Sequence, residues 1–195
     1  MSLGARGACG LYYSYQVRDR SGKILVPFRR RTAHSFLIGY ARWLQMKVVG
    51  TGRQTVTDTT GNSRSLIRSS ALTSEASAAV STLGLVAGTG TNAVALADAA
   101  LQTQIAHGTT SGTLSYGASV VNAPASDSTS TELILTRVFA NASGGLITVR
   151  EIGIYSNMQY DNSSTAIVCT VRDTVTIALA DANQLTLNYI LKTTS

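Results

Sequence analysis

The run Gly84 to Asn92, GLVAGTGTN, places three glycines in nine residues around a short apolar stretch. This is the composition of a loop that wraps its backbone amides around a phosphate. A Walker loop needs a Lys followed by Ser or Thr after the last glycine, to carry an ammonium to the outer phosphates, and here Gly90 is followed by Thr91-Asn92. Gly88-Thr89-Gly90-Thr91-Asn92-Ala93 also fits the loose G-x-G-x-x-A fingerprint. That fingerprint acts only inside a β-α-β unit whose second strand ends on an acid, and no such strand follows. The sequence therefore predicts the exit of a buried strand over 83–87 and a tight turn, with Gly88 and Gly90 supplying backbone angles that a Cβ would forbid.

The remaining reactive side chains are sparse. His34 and His107 are the only histidines, and neither lies near a cysteine, a paired carboxylate or an activated serine in the sequence. His34 reads as a first-turn helix residue and His107 as a loop residue. Glu132, Glu151, Asp161, Asp173 and Asp181 are spread one per strand or turn; convergence would make a glycosidase pair or a Ca²⁺ cluster. The simpler reading takes Glu151 as an ordinary strand residue and Asp173 and Asp181 as turn acids. Cys9 and Cys169 fit no metal or nucleophile spacing and read as free, buried thiols. No catalytic constellation, metal site or cofactor site is expected.

Charge is the stronger signal. The net charge is +6, with thirteen Arg against three Lys, a bias toward fork-shaped contacts with carboxylates or phosphates. Residues 1–74 hold twelve basic and two acidic residues, a net +10, while the remainder nets −4. Arg29, Arg30, Arg31 and Arg42, together with Arg18 and Arg20, form the candidate docking patch, with Lys23, Lys47, Arg53, Arg64 and Arg68 nearby in sequence. Two partners suit it. One is an acidic protein surface, including the acidic half of a second copy; the other is duplex DNA held through its backbone, since no base-reading motif is present.

The elements that must position these residues are mainly β. Tyr12–Val17 and Ile24–Val26 predict a hairpin with a charged tip, Pro27 ends it, and Thr32 reads as the N-cap of one substantial helix over 33–48. That helix would pack through Phe36, Tyr40 and Trp43. Gln54–Ile67 predicts a second hairpin around Gly61-Asn62, and 69–82 an extended, partner-ordered or lid-like segment. A short helix is expected from Leu96 to Ile105. Glu132–Ala140, Leu146–Tyr155, Thr165–Arg172, Val175–Leu179 and Leu185–Lys192 then read as five strands, with Asp173-Thr174 among the turns between them. The expected fold is an antiparallel β-sandwich with one N-terminal helix and extended arms. A basic region over 1–82 precedes a sandwich region over 83–195 that packs with the N-terminal strands as one domain. Neither a signal peptide nor a membrane-spanning run is read from the sequence.

Spacing then becomes recognisable. Gly84-Leu-Val-Ala-Gly-Thr-Gly-Thr91, Leu96-Ala-Asp98-Ala-Ala-Leu101 with Ile105, Arg137-Val-Phe139-Ala-Asn141, Val149-Arg-Glu151-Ile-Gly153-Ile-Tyr155, Val171-Arg172-Asp173 and Leu185-Thr-Leu-Asn-Tyr189 together resemble a pattern widespread in structural proteins of tailed bacteriophages. The resemblance covers about residues 84–192. It departs from the commonest form in carrying Asn92-Ala-Val-Ala where prolines are frequent. It implies a non-enzymatic, homo-oligomeric virion component of the tail, neck, collar or baseplate, assembled in the host cytoplasm against other virion proteins such as portal, adaptor, tail or major capsid protein. A capsid decoration protein on the head shell is the alternative placement. A nucleic-acid-binding module using the Arg-rich end is the alternative of another class, and a carbohydrate-binding or hydrolysing sandwich is a third.

Overall fold

The computed structural model describes residues 8–33, 36–50, 52–161 and 164–195, and they form a mainly β protein with a single helix. The first antiparallel sheet is built on β1 (Ala8–Arg18), β10 (Ser130–Ala140) and β13 (Gln184–Thr194). Strand β13 lies between the other two and pairs with both along its length. Strand β2 (Ile24–Val26) extends this sheet beyond β1, β3 (Arg31–Thr32) also pairs with β1, and β8 (Ser115–Val121) and β9 (Ala125–Ser126) pair with β10. In the second sheet β11 (Ile147–Gln159) is central. It is flanked by β12 (Thr165–Leu179) on one side and by β6 (Leu72–Thr73) and β7 (Gly84–Gly88) on the other.

Both sheets feed one core. Alternating positions of β1 (Tyr13, Tyr15, Val17), β13 (Leu185, Leu187, Tyr189) and β10 (Leu135, Phe139) are buried together with Leu85, Val86, Ala87, Val149, Ile152, Val171 and Leu179 of the second sheet. Period-two burial of this kind is what an alternating sequence produces when one face of a strand is covered. A smaller cluster of Met46, Val56, Leu66, Met158 and Val168 lies where the helix and the hairpin of β4 (Gln54–Thr57) and β5 (Ser63–Leu66) pack on the far end of the second sheet.

The helix is shorter than expected. It runs Ile38–Val49, twelve residues, and Leu37 caps it without any side-chain hydrogen bond. Thr32 does not cap it, because it is drawn into β3 opposite Tyr12, while Phe36 bridges to Val171 and the Leu37 amide donates to the Thr170 carbonyl. Strand-like pairing thus engages Thr32, Phe36 and Leu37 around the expected helix start. His34 lies outside the described residues. Leu44 and Val48 of the helix are exposed, whereas Gly39 and Met46 are buried.

Three other expectations change for identifiable reasons. Val94 to Ile105 is not helical, because its amides are claimed by side chains: Leu101 N–H donates to the Tyr155 hydroxyl, and those of Gln102 and Thr103 donate to Glu151. Asp173-Thr174 is not a turn; β12 is continuous from 165 to 179 and absorbs extra residues as bulges against β11. Asp173 is fully buried there and accepts a hydrogen bond from the Tyr189 hydroxyl at 2.7 Å. Residues 69–82 are tied along both sheets by their own chain, through β6, the Ala76–Ser119 bridge and the Ser74–Ser156 hydroxyl pair.

Arg137 completes that attachment. It occupies an inward position of β10 between Leu135 and Phe139 and is fully buried. No carboxylate is among its partners. Its guanidinium donates to the carbonyls of Gly117, Leu83, Leu85, Ser77 and Val80 and lies 4.8 Å from the Tyr116 ring centroid. Burial pulls its pKa down to about 10, which still leaves it charged at neutral pH. Five donors in a rigid plane suit five carbonyls from separate turns, a task a lysine with three donors on one atom cannot perform. Arg137→Lys should therefore lower the urea-unfolding free energy by about 2 kcal/mol and Arg137→Met by about 3 kcal/mol or more, since each orphaned buried carbonyl costs about 1–3 kcal/mol. Wild-type stability in both variants would show that the 77–85 segment holds without it.

Candidate functional site

The glycine loop does enclose an anion, and the anion is its own Glu151. From an inward position of β11 in line with Ile147 and Val149, the fully buried Glu151 carboxylate accepts hydrogen bonds from the amides of Gly90 (3.0 Å), Gln102 (2.9 Å) and Thr103 (2.7 Å). Arg172 of β12 closes the group, with Nε and Nη2 each 3.0 Å from Oε2. The same guanidinium reaches Asp98 at 2.6 Å and the carbonyls of Asn92 and Ala93. Gln102 Oε1 accepts the amides of Thr91 and Asn92. Every amide from Gly90 to Asn92 is thereby occupied, so this loop has no free cradle for a phosphate.

The role of the glycines changes accordingly. Neither Gly88 nor Gly90 has a positive φ. A Cβ on Gly88 would sit 2.5 Å from Glu151 Oε1 and 2.6 Å from the Thr103 carbonyl, and one on Gly90 would collide with the same carboxylate and with Gln102. They are required for close approach of the carboxylate. Gly84, at the start of the run, is the glycine with a left-handed backbone, φ +80°.

Among the described residues no group of three His, Cys, Asp or Glu is placed to hold a metal ion. The carboxylates weighed as a catalytic pair are each engaged separately. Glu132 meets Arg30 and Lys192, Asp173 meets Tyr189, Asp181 takes the Gly144 amide and Asp161 takes the Ser164 amide. His107 Nδ1 accepts the Tyr116 amide, a structural bond. Cys9 is exposed rather than buried; Cys169 is buried, and burial pushes its thiol far above the usual range, which leaves it inert.

The arginines of the docking patch are dispersed. Arg18 ends β1 and bonds Gln16, Arg20 lies in the hairpin turn, and Arg42 on the helix donates to the Thr55 carbonyl. Arg30 pairs bidentately with Glu132 at 2.9–3.0 Å, and Arg31 lies 5.3 Å from the Tyr15 ring centroid. Arg29 is exposed with no recorded partner. All ten carboxylates of the chain accept at least one internal hydrogen bond. Arg20, Lys23, Arg29, Arg31, Arg53, Arg68 and Arg150, by contrast, have no carboxylate partner among the described residues. Among the described residues the carboxylates of Asp58, Asp98, Glu132 and Glu151 are ion-paired inside the molecule, and with sixteen basic residues against ten acidic in the chain the charge left over is net cationic.

Sequence reasoning passed over Arg137, Arg172, Asp98 and Arg150. The signal for the first was strand parity: a charged residue in phase with inward Leu135 and Phe139 must be buried, and a buried charge must be bonded. Glu151 carries the same signal in phase with Val149. Arg172 stands next to a bulge, where parity fails.

Breaking a buried ion pair by removing one partner costs about 3–5 kcal/mol. Glu151→Gln should lose that much, because an amide group would face three N–H donors and leave Arg172 with Asp98 alone. Gly90→Ala should lose about 1–3 kcal/mol by overpacking. Thermal unfolding checks both, and limited proteolysis should cut within 88–104; an unshifted Tm with a protected loop would refute the clasp. No family model, curated protein or solved structure matches the chain.

Proposed function

We propose that the chain is a non-enzymatic structural subunit of a tailed-bacteriophage virion, a homo-oligomeric tail, neck, collar or baseplate element. The two sheets form its sandwich body, and residues 20–32 are its docking arm. The arm is the observation that supports this reading. Every residue from 20 to 32 is exposed, including Ile24, Leu25, Val26 and Phe28, beside the cations Arg20, Lys23 and Arg29, which have no ion-pair partner among the described residues. Adjoining apolar side chains left in water on a strand that edges a sheet are a surface suited to completion by another chain. Its cationic flank suits an acidic protein face, on a second copy of the chain or on another virion protein. Among the described residues no helix is long and apolar enough to cross a membrane.

The root of the arm is held by Glu132. Hydrogen bonds from Lys192 and then from Arg30 hold its carboxyl below the usual value of 4.5. A carboxyl lowered on folding contributes stability above its unfolded value and loses it as pH falls through the folded one. Anchorage of the arm should therefore be complete at neutral pH and weaken below about 4.5, seen as a rise in amide exchange over 28–32.

Oligomerisation is the direct test. Light scattering on the purified chain should give a discrete multimer, or a complex with a co-expressed virion protein. Leu25→Ser with Phe28→Ser should abolish it while leaving Tm unchanged, and Arg29, Arg30 and Arg31 changed together to Ser should weaken it. A monomer that binds duplex DNA with a steep salt dependence would replace this reading with nucleic-acid binding.

A further inference from the structure

Among the cations that find no carboxylate, Arg53 and Arg68 share one surface hollow, and Arg31 and Arg150 share another that is walled by phenols and threonines. Arg31 of β3 and Arg150 of β11 face a common cleft of about 420 Å³, whose other walls are Tyr13, Tyr15, Thr91 and the segment Thr174 to Thr176. Both guanidinium groups are exposed and neither has an ion-pair partner among the described residues. Two like charges brought to one cleft repel each other, an arrangement that an anion between them relieves.

The lining is built for such a guest. Arg31 is oriented by the Tyr15 ring at 5.3 Å and by a long Nη2 hydrogen bond to the Tyr15 hydroxyl at 3.5 Å, and its remaining N–H donors suit an oxyanion. Burial raises the Tyr13 phenol, so it keeps its proton and remains a donor at neutral pH. Thr91, Thr174 and Thr176 add hydroxyls. The threonines of β12 reach the cleft because the strand bulges between Thr174 and Ile177 opposite β11, and a bulge re-aims side chains. Of the carboxylates adjacent in sequence to its walls, Asp173 accepts the Tyr189 hydroxyl and Glu151 faces Arg172 inside the clasp, and neither lines the cleft.

From these residues we infer that the cleft between Arg31 and Arg150 is an oxyanion site, taking the phosphate or carboxylate group of a small polar ligand. It lies at the outer end of the glycine loop, through Thr91, and uses side chains where a Walker loop would use amides. The volume exceeds that of a bare anion and accommodates a sugar ring attached to it. The cleft shares Arg31 with the root of the arm, and Arg150, which lies outside the arm, separates the two.

The test is NMR on the intact chain, following arginine Nε–Hε signals while sodium phosphate replaces sodium chloride at constant ionic strength, with glucose 6-phosphate and glucuronate as parallel titrants. The Arg31 and Arg150 signals should move together and saturate. Arg150→Gln and Arg31→Gln should each weaken binding about tenfold, the loss of one charge-assisted contact. Both residues are exposed and unpaired, so an unchanged Tm in each variant is the control for folding. Equal affinity for inorganic phosphate and the two sugar acids would identify a free anion as the ligand, and tighter binding of a sugar acid would identify its ester or uronate; either upholds the site. Shifts that fail to saturate, that are shared with Arg20, Arg29 and Arg53, or that survive both substitutions would overturn it.

Discussion

A carboxylate is costly to bury without donors and an ion-pair partner, and the clasp around Glu151 is arranged to meet that constraint. Three backbone amides and one guanidinium converge on it from two stretches of a loop and from the neighbouring strand. The loop from Thr89 to Gln104 has no repeating backbone pattern of its own, so its conformation depends on the group it encloses. Through it Leu101 and Ile105 are delivered into the core between the sheets. The course of the chain between β7 and β8 follows from one ion pair.

Arg137 performs the complementary task on the first sheet. A single cation collects carbonyls from an irregular segment, as Glu151 collects amides. The two groups have opposite charge and do not pair with each other; each neutralises the orphaned backbone dipoles of a loop that a mainly β fold leaves without partners. Buried charge in this protein is a means of ordering irregular chain.

The surface that results has two distinct features. The arm over 20–32 presents apolar side chains and cations at a sheet edge, the kind of surface that subunits of an assembly complete for one another. The cleft beside Thr91 is concave and polar, and its charge is held in place by stacking rather than by ion pairs. A structural subunit can carry both: the two meet at Arg31, and Arg150 belongs to the cleft alone.

Much of the β architecture was legible in the order of residues, because strand alternation and turn residues are local properties. The 12–26 and 54–67 hairpins, and the runs that became β10, β11 and β13, follow from a period of two between Gly, Asn, Asp and Pro. The glycine motif was also visible, together with the absence of the Lys and the parallel strand that a nucleotide site requires. Tertiary structure alone decided what the motif encloses, since Gly90, Asp98, Glu151 and Arg172 are separated by up to eighty-two residues and meet only when β11 and β12 pair beside the loop. The same pairing turned an expected turn at Asp173 into a continuous strand with a bulge, removed the helix expected at 96–105, and brought Arg31 within reach of a cleft shared with Arg150. Local pattern determines which face of an element is apolar; which charges lie across from one another is set by long-range register, and no window of neighbouring residues contains that information.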